Sequence, residues 1–221
     1  MDPVAEWSAA FDRVVALVSP VTAEQAARPV PACPDWTVRE LLSHMVGLDV
    51  DVVRGDEPDD HNSAWTQRQV DERADRSVAD LVSEWQRAAE PLRAWMRANN
   101  PRPLGDVIIH EQDLRGALGV PGGQDTDGLH AIRENMLGRF APRLEGLAPL
   151  AFVADGWQWC SAGAADDAPV VLAAGAFDLS RAVISRRSAH QLRRWTVRGD
   201  IEPYLPAFEV LGPLPEHDLQ E

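Results

Sequence analysis

The residues of this chain best suited to chemistry are one histidine and an acid–histidine pair. Asp106 and His110 stand four residues apart in GDVIIHEQDLRGALG, a spacing that puts both on one face of a helix. His44 lies in CPDWTVRELLSHMVG, within an apolar stripe of Val38, Leu41, Leu42, Met45 and Leu48, and is therefore expected to point inward from an amphipathic helix. Two ligands from one helix and a third from a facing helix can hold one side of a divalent metal ion and leave its other side open, as helix bundles commonly do. Imidazole and carboxylate suit zinc, and iron, nickel or manganese could also occupy such a set. A water or thiol at the open position loses its proton far more readily than in bulk solvent. Plainer readings fit the same spacing: an inward histidine can be a satisfied core residue, and Asp106 a first-turn acid favoured by the helix dipole.

Several elements must position these residues. From Pro3 to about Val18, Phe11, Val14, Val15 and Val18 share one helical face, and Pro20 stops the pattern. A Pro-rich turn, RPVPACPDW, leads to Thr37, which with Glu40 forms a capping box flanked by Trp36 and Leu41 as a hydrophobic staple. A second helix starts there. Residues 55–76 are polar and charged and read as an exposed loop with a short helical piece. Ser77 and Asp80 cap a third helix that carries Val78, Leu81, Val82, Trp85, Leu92, Trp95 and Met96. A fourth runs from about Leu104 to Leu118 and ends at Gly119. After a further helix over 128–140 the grammar changes to LAPLAFVADGWQWCSAG, two β-prone runs about an Asp-Gly turn. The apolar run PVVLAAG, a helical FDLSRAVIS and a segment around Trp195 follow. The expected organisation is a helical bundle over residues 1–145 and a small α+β domain over 146–221.

Composition narrows the function. The net charge of −14 and the scattered cations argue against nucleic acid and anionic membranes as partners. All 21 cationic side chains are arginine, so a Schiff-base or P-loop lysine is excluded. No apolar run reaches a membrane span, and the acidic start MDPVAEWSAAFDRVV is unlike a signal peptide, so a cytoplasmic protein is expected. Cys33 and Cys160 are read as reduced thiols. Cys33 could be a fourth ligand or a nucleophile, but a buried loop thiol is the preferred reading. Glu111 and Asp113 could orient an imidazole or act as a general base, or else be solvated acids paired with Arg115 or Arg39. Asp49 and Asp51 are expected at exposed positions late in the His44 helix. His61, His130, His190 and His217 have no partner at ligand spacing. Arg186 and Arg187 could hold a substrate carboxylate, and Trp157 with Trp159 could line a pocket.

The segment CPDWTVRELLSHMVG resembles the signature of the actinobacterial mycothiol-dependent maleylpyruvate isomerase family, within the wider DinB-like superfamily of up-down four-helix bundles. In that family the histidine matching His44 is a metal ligand. A second motif, Glu, three residues, His and soon afterwards Asp, is matched at His110 and Asp113, with Asp106 in place of Glu. The later ADGWQW, FDLSRAVISRRS and RGD are similar to the small sterol-carrier-like domain that accompanies the family. The resemblance implies a metal-dependent enzyme that activates a low-molecular-weight thiol such as mycothiol for isomerisation or S-transfer on a small electrophile; a monomer or homodimer is expected. His44, Asp106 and His110 would be the ligands, and an arginine such as Arg186 would hold the acidic group of the electrophile. Two other functions fit the same residues: a hydrolase in which Glu111 or Asp113 takes a proton from water, and a scaffold that binds a metal or small ligand without catalysis.

Overall fold

The structure, a computed structural model, describes residues 1–58 and 62–221; His61 lies outside the described residues. Contacts divide the chain into two compact units, residues 1–129 with Glu221, and 130–220. The first is helical and the second mixes helices with a sheet. Among the described residues no helix is long and apolar enough to cross a membrane.

In the first unit, α1 (Pro3–Val18) begins at Asp2, whose carboxylate accepts hydrogen bonds from the N–H groups of Val4 and Ala5. A single turn, α2 (Ala23–Ala26), precedes β1 (Pro29–Val30) and β2 (Cys33–Thr37), which pair antiparallel where the sequence suggested only a Pro-rich turn. Thr37 then caps α3 (Val38–Arg54). Its hydroxyl accepts from the Glu40 N–H, and the Glu40 carboxylate accepts from the Thr37 N–H at 2.8 Å, so two of the donors left over at a helix start are satisfied reciprocally. Gly55 closes α3 in the left-handed region, at φ 76°. Next come α4 (Ser63–Asp71), α5 (Val78–Ala98) and α6 (Pro103–Leu118).

α3 packs against α4, α5 and α6, and α1 against α5 and α6. Every residue of α3 from Leu41 to Val52 is consequently buried, the pattern of a helix covered on all sides. Trp7 and Phe11 of α1 meet Trp85 of α5, with the Phe11 and Trp85 rings at 4.8 Å, and this aromatic cluster fixes α1 and α5 against each other. Two expectations are corrected here. The short helical piece expected in the polar segment forms as α4, but it is not exposed, because it buries Trp65, Gln69 and Val70. Asp49 and Asp51 are not exposed but 3% and 4% accessible, because α4 and α5 cover the side of α3 that the periodicity assigned to solvent.

In the second unit β3 (Leu150–Ala154) and β4 (Trp157–Cys160) form the expected hairpin about Asp155 and Gly156, with Gly156 at φ 71°. β5 (Val170–Ala173) lies parallel to β3 and antiparallel to β6 (Thr196–Arg198), giving the sheet order β4-β3-β5-β6. α7 (Asp127–Phe140), α8 (Ala176–Ala182) and α9 (Ala189–Trp195) complete it. The contact division falls after Leu129, near the start of α7, whereas the expected domain limit is residue 145. Phe140 at the end of that helix stacks on Phe152 of β3 and lies 4.8 Å from Phe208, so it belongs to the core of the second unit.

Candidate metal centre

His44 sits in the middle of α3, and Asp106 and His110 share a face of α6. Their ligand atoms lie within 4.8 Å of one another. Asp106 Oδ1 is 3.3 Å from His44 Nε2 and 3.5 Å from His110 Nε2. In tetrahedral zinc sites bonds of about 2.0–2.1 Å place neighbouring ligand atoms roughly 3.3–3.4 Å apart, so this spacing fits one ion. The aspartate is a methylene shorter than the glutamate of the family motif, and it still reaches both imidazoles. The two rings meet edge to face with centroids 5.2 Å apart, and Trp36 covers His44 at 5.0 Å.

Both imidazoles are held from behind. His44 Nδ1 is 2.7 Å from Gln69 Oε1, and Gln69 Nε2 donates to Asp51 Oδ2 at 2.8 Å. His110 Nδ1 is 2.9 Å from Asp113 Oδ2. These contacts engage both Nδ1 atoms and leave the two Nε2 atoms facing Asp106. Burial is the largest single influence on the His44 pKa and lowers it, but the charge and hydrogen bond of Asp106, with Gln69 and Asp51, outweigh it and leave the pKa raised. Cys33 Sγ donates to Asp113 Oδ2 at 3.4 Å, and Cys33, His110 and Asp113 form a second cluster of ligand atoms. Cys33 is thus a neighbour of His110 and does not belong to the group of His44, Asp106 and His110.

The remaining candidates are placed as follows. Glu111 does not join the three: its buried carboxylate accepts from Arg13 at 2.8 and 2.7 Å and from Arg115 at 3.0 Å. Asp49 accepts from Trp85 Nε1 at 2.6 Å, and burial, opposed by that bond and reinforced by the charge of Asp106, holds its carboxyl well above the usual range. Arg186 is buried in the second unit, where its Nη1 lies 3.4 Å from the Ile184 carbonyl, and Arg187 pairs with Asp178 at 2.8 Å. His190 pairs with Asp218, and His130 is half-buried while His217 is exposed. Trp157 lies under the Arg133 guanidinium and Trp159 packs on Phe140 and Phe152. A cleft of about 760 Å³ beside Val21, Ala26, Arg39 and Val78 includes none of the three candidate ligands. Gln69 was missed in the sequence. Two signals pointed to it: Trp65, Gln69 and Arg73 recur every four residues inside the polar segment, and Gly47 is an isolated glycine in the interior of the predicted second helix.

The fold and the site together define a helical unit built around a candidate metal centre, followed by an α+β unit. Residues 7–113 match the family described as the mycothiol maleylpyruvate isomerase N-terminal domain. The chain is also 31% identical over 144 residues to the uncharacterized proteins MT0763 and Rv0738 of Mycobacterium tuberculosis (strains CDC 1551 / Oshkosh and ATCC 25618 / H37Rv), covering 58% of this chain and 71% of each relative. The chain belongs to the mycothiol maleylpyruvate isomerase N-terminal domain family. No solved structure matches it.

Proposed function

We propose that the protein is a metal-dependent enzyme that activates a small thiol, mycothiol or a close relative, for isomerisation or S-transfer on a small electrophile. The observation that carries this reading is the convergence of His44 Nε2, His110 Nε2 and Asp106 Oδ1 with both Nδ1 atoms already engaged. His44, Asp106 and His110 would hold one divalent ion, zinc by the chemistry of the donor set. A bound divalent ion would supply a lowered pKa to a thiol or water at its open side.

The chain's own residues do the rest. Gln69 and Asp113 aim the two imidazoles, and the Asp113 carboxylate makes His110 the stronger donor of the pair. Trp36 covers one face of His44 and restricts solvent there. The thiol reading is preferred to hydrolysis because a thiol, with an ordinary pKa of about 8.5, gives up its proton to solvent far more readily than water does and so depends less on a dedicated base. Glu111 is held by two guanidinium groups and Asp113 by His110 and Cys33, which engages both carboxylates considered for that role. Arg186 is buried within the second unit. We read the four long helices as the DinB-like up-down bundle, the second unit as the sterol-carrier-like companion, and the compartment as the cytoplasm.

The test is turnover of a small electrophile, maleylpyruvate first, by metal-loaded protein with and without mycothiol. Turnover that needs the thiol supports the proposal. Turnover in water alone favours the hydrolase, and tight metal binding with no reaction favours a scaffold.

A further inference from the structure

Gln69 is 0% exposed, and its amide is bonded on both sides. Gln69 Nε2 donates to Asp51 Oδ2 at 2.8 Å, and that bond sets the Gln69 amide with its NH₂ toward Asp51 and its Oε1 toward His44 Nδ1. An exposed Arg68 guanidinium lies 3.7 Å from the same Asp51 oxygen. The backbone is shaped for the contact. A Cβ on Gly47 would stand 2.5 Å from Gln69 Cβ and 2.8 Å from its Cγ, so only glycine lets α4 come this close to α3. Arg73 Nη1 then caps the Gln69 carbonyl at 3.1 Å.

The two histidines are thus supported unequally, His110 by a carboxylate and His44 by a neutral amide whose orientation is set one residue further back. On the opposite side of His44, Asp106 competes for the ring proton at Nε2. We infer that Gln69 is a positioning residue that keeps the proton of neutral His44 on Nδ1, against the pull of Asp106, and so reserves Nε2 as a ligand atom. The assignment concerns the ring itself; its consequence for metal affinity rests on the function proposed above.

Nitrogen-15 NMR of the imidazoles in metal-free, mildly alkaline buffer tests this directly, on the wild type and on Gln69→Leu and Asp51→Asn variants. In the wild type, neutral His44 should carry its proton on Nδ1. In Gln69→Leu the acceptor is gone and the proton should move to Nε2, bonded to Asp106. In Asp51→Asn the Gln69 amide can turn its NH₂ toward His44, and the same switch should appear. His110 is the internal control, because Asp113 is untouched: it should stay protonated on Nδ1 in all three proteins, which separates a local effect from misfolding. A wild-type His44 protonated on Nε2, or a Gln69→Leu protein that keeps the proton on Nδ1, overturns the assignment. Zinc affinity of the same proteins should fall about 10–100-fold in Gln69→Leu. If the tautomer switches as described while the wild type takes up no zinc, the role of Gln69 stands and the metal reading falls.

Discussion

Replacing Glu111 by glutamine distinguishes an anchor from a base. The carboxylate is 0% exposed and accepts two hydrogen bonds from Arg13 and one from Arg115, whose Nη2 also pairs with it, all between 2.7 and 3.0 Å. Glutamine keeps the shape but removes the charge that two guanidinium groups share, and it turns an NH₂ toward one of their N–H groups. Breaking a buried pair costs about 3–5 kcal/mol. Arg13 is 27% exposed and can recover part of its hydration, so we expect a loss of about 2–3 kcal/mol. In a chain of this size that lowers the melting temperature by roughly 4–12 °C. Thermal unfolding followed by circular dichroism measures it, with metal content determined in parallel and expected to be unchanged. An unaltered melting temperature together with lost turnover would refute the structural role and restore Glu111 as a general base.

Other consequences are equally direct. Gly47→Ala would ordinarily strengthen a helix by about 1 kcal/mol, but the clash with Gln69 should make it destabilising by about 1–2 kcal/mol net, read from urea unfolding; a stabilised protein would show that α4 does not pack as described. Asp49→Asn keeps the acceptor for Trp85 and removes a buried charge. Because the native carboxyl titrates above the unfolded value of 3.8, wild-type stability falls as pH rises from that value through the native one, so the variant should gain over the wild type between acid and neutral pH; a pH-independent difference would contradict this. The raised pKa of His44 stabilises the metal-free protein below the unfolded value of 6.5, and this contribution is lost as pH rises through the higher native value. A metal must displace that proton, so zinc affinity should weaken as pH falls through the same range; an affinity flat with pH would exclude His44 as a ligand.

Much of this was legible in the chain itself because local rules agreed. The Thr37–Glu40 box, the Ser77–Asp80 cap, the Gly119 terminus and the Asp-Gly hairpin all formed where short-range chemistry places them. The helical spacing also brought Asp106 and His110 together and set His44 opposite them. What escaped notice depends on long-range packing. Asp49 and Asp51 look like the polar side of an amphipathic helix, and only the cover of α4 and α5 turns them into buried acceptors for Trp85 and Gln69. Glu111 stands next to His110 in sequence, yet one step along a helix rotates a side chain by about 100°, which carries it to Arg13 on α1. Gln69 sits in a segment whose composition reads as solvated, and its value lies in two hydrogen bonds to partners 25 and 18 residues away.

The most direct test of the whole account is elemental analysis of the purified protein beside a His44→Ala, His110→Ala double variant, with circular dichroism to confirm that both are folded. The account predicts one zinc or related divalent ion per chain in the native protein and none in the folded variant. Both proteins metal-free after incubation with zinc, or equal metal in the two, would contradict it.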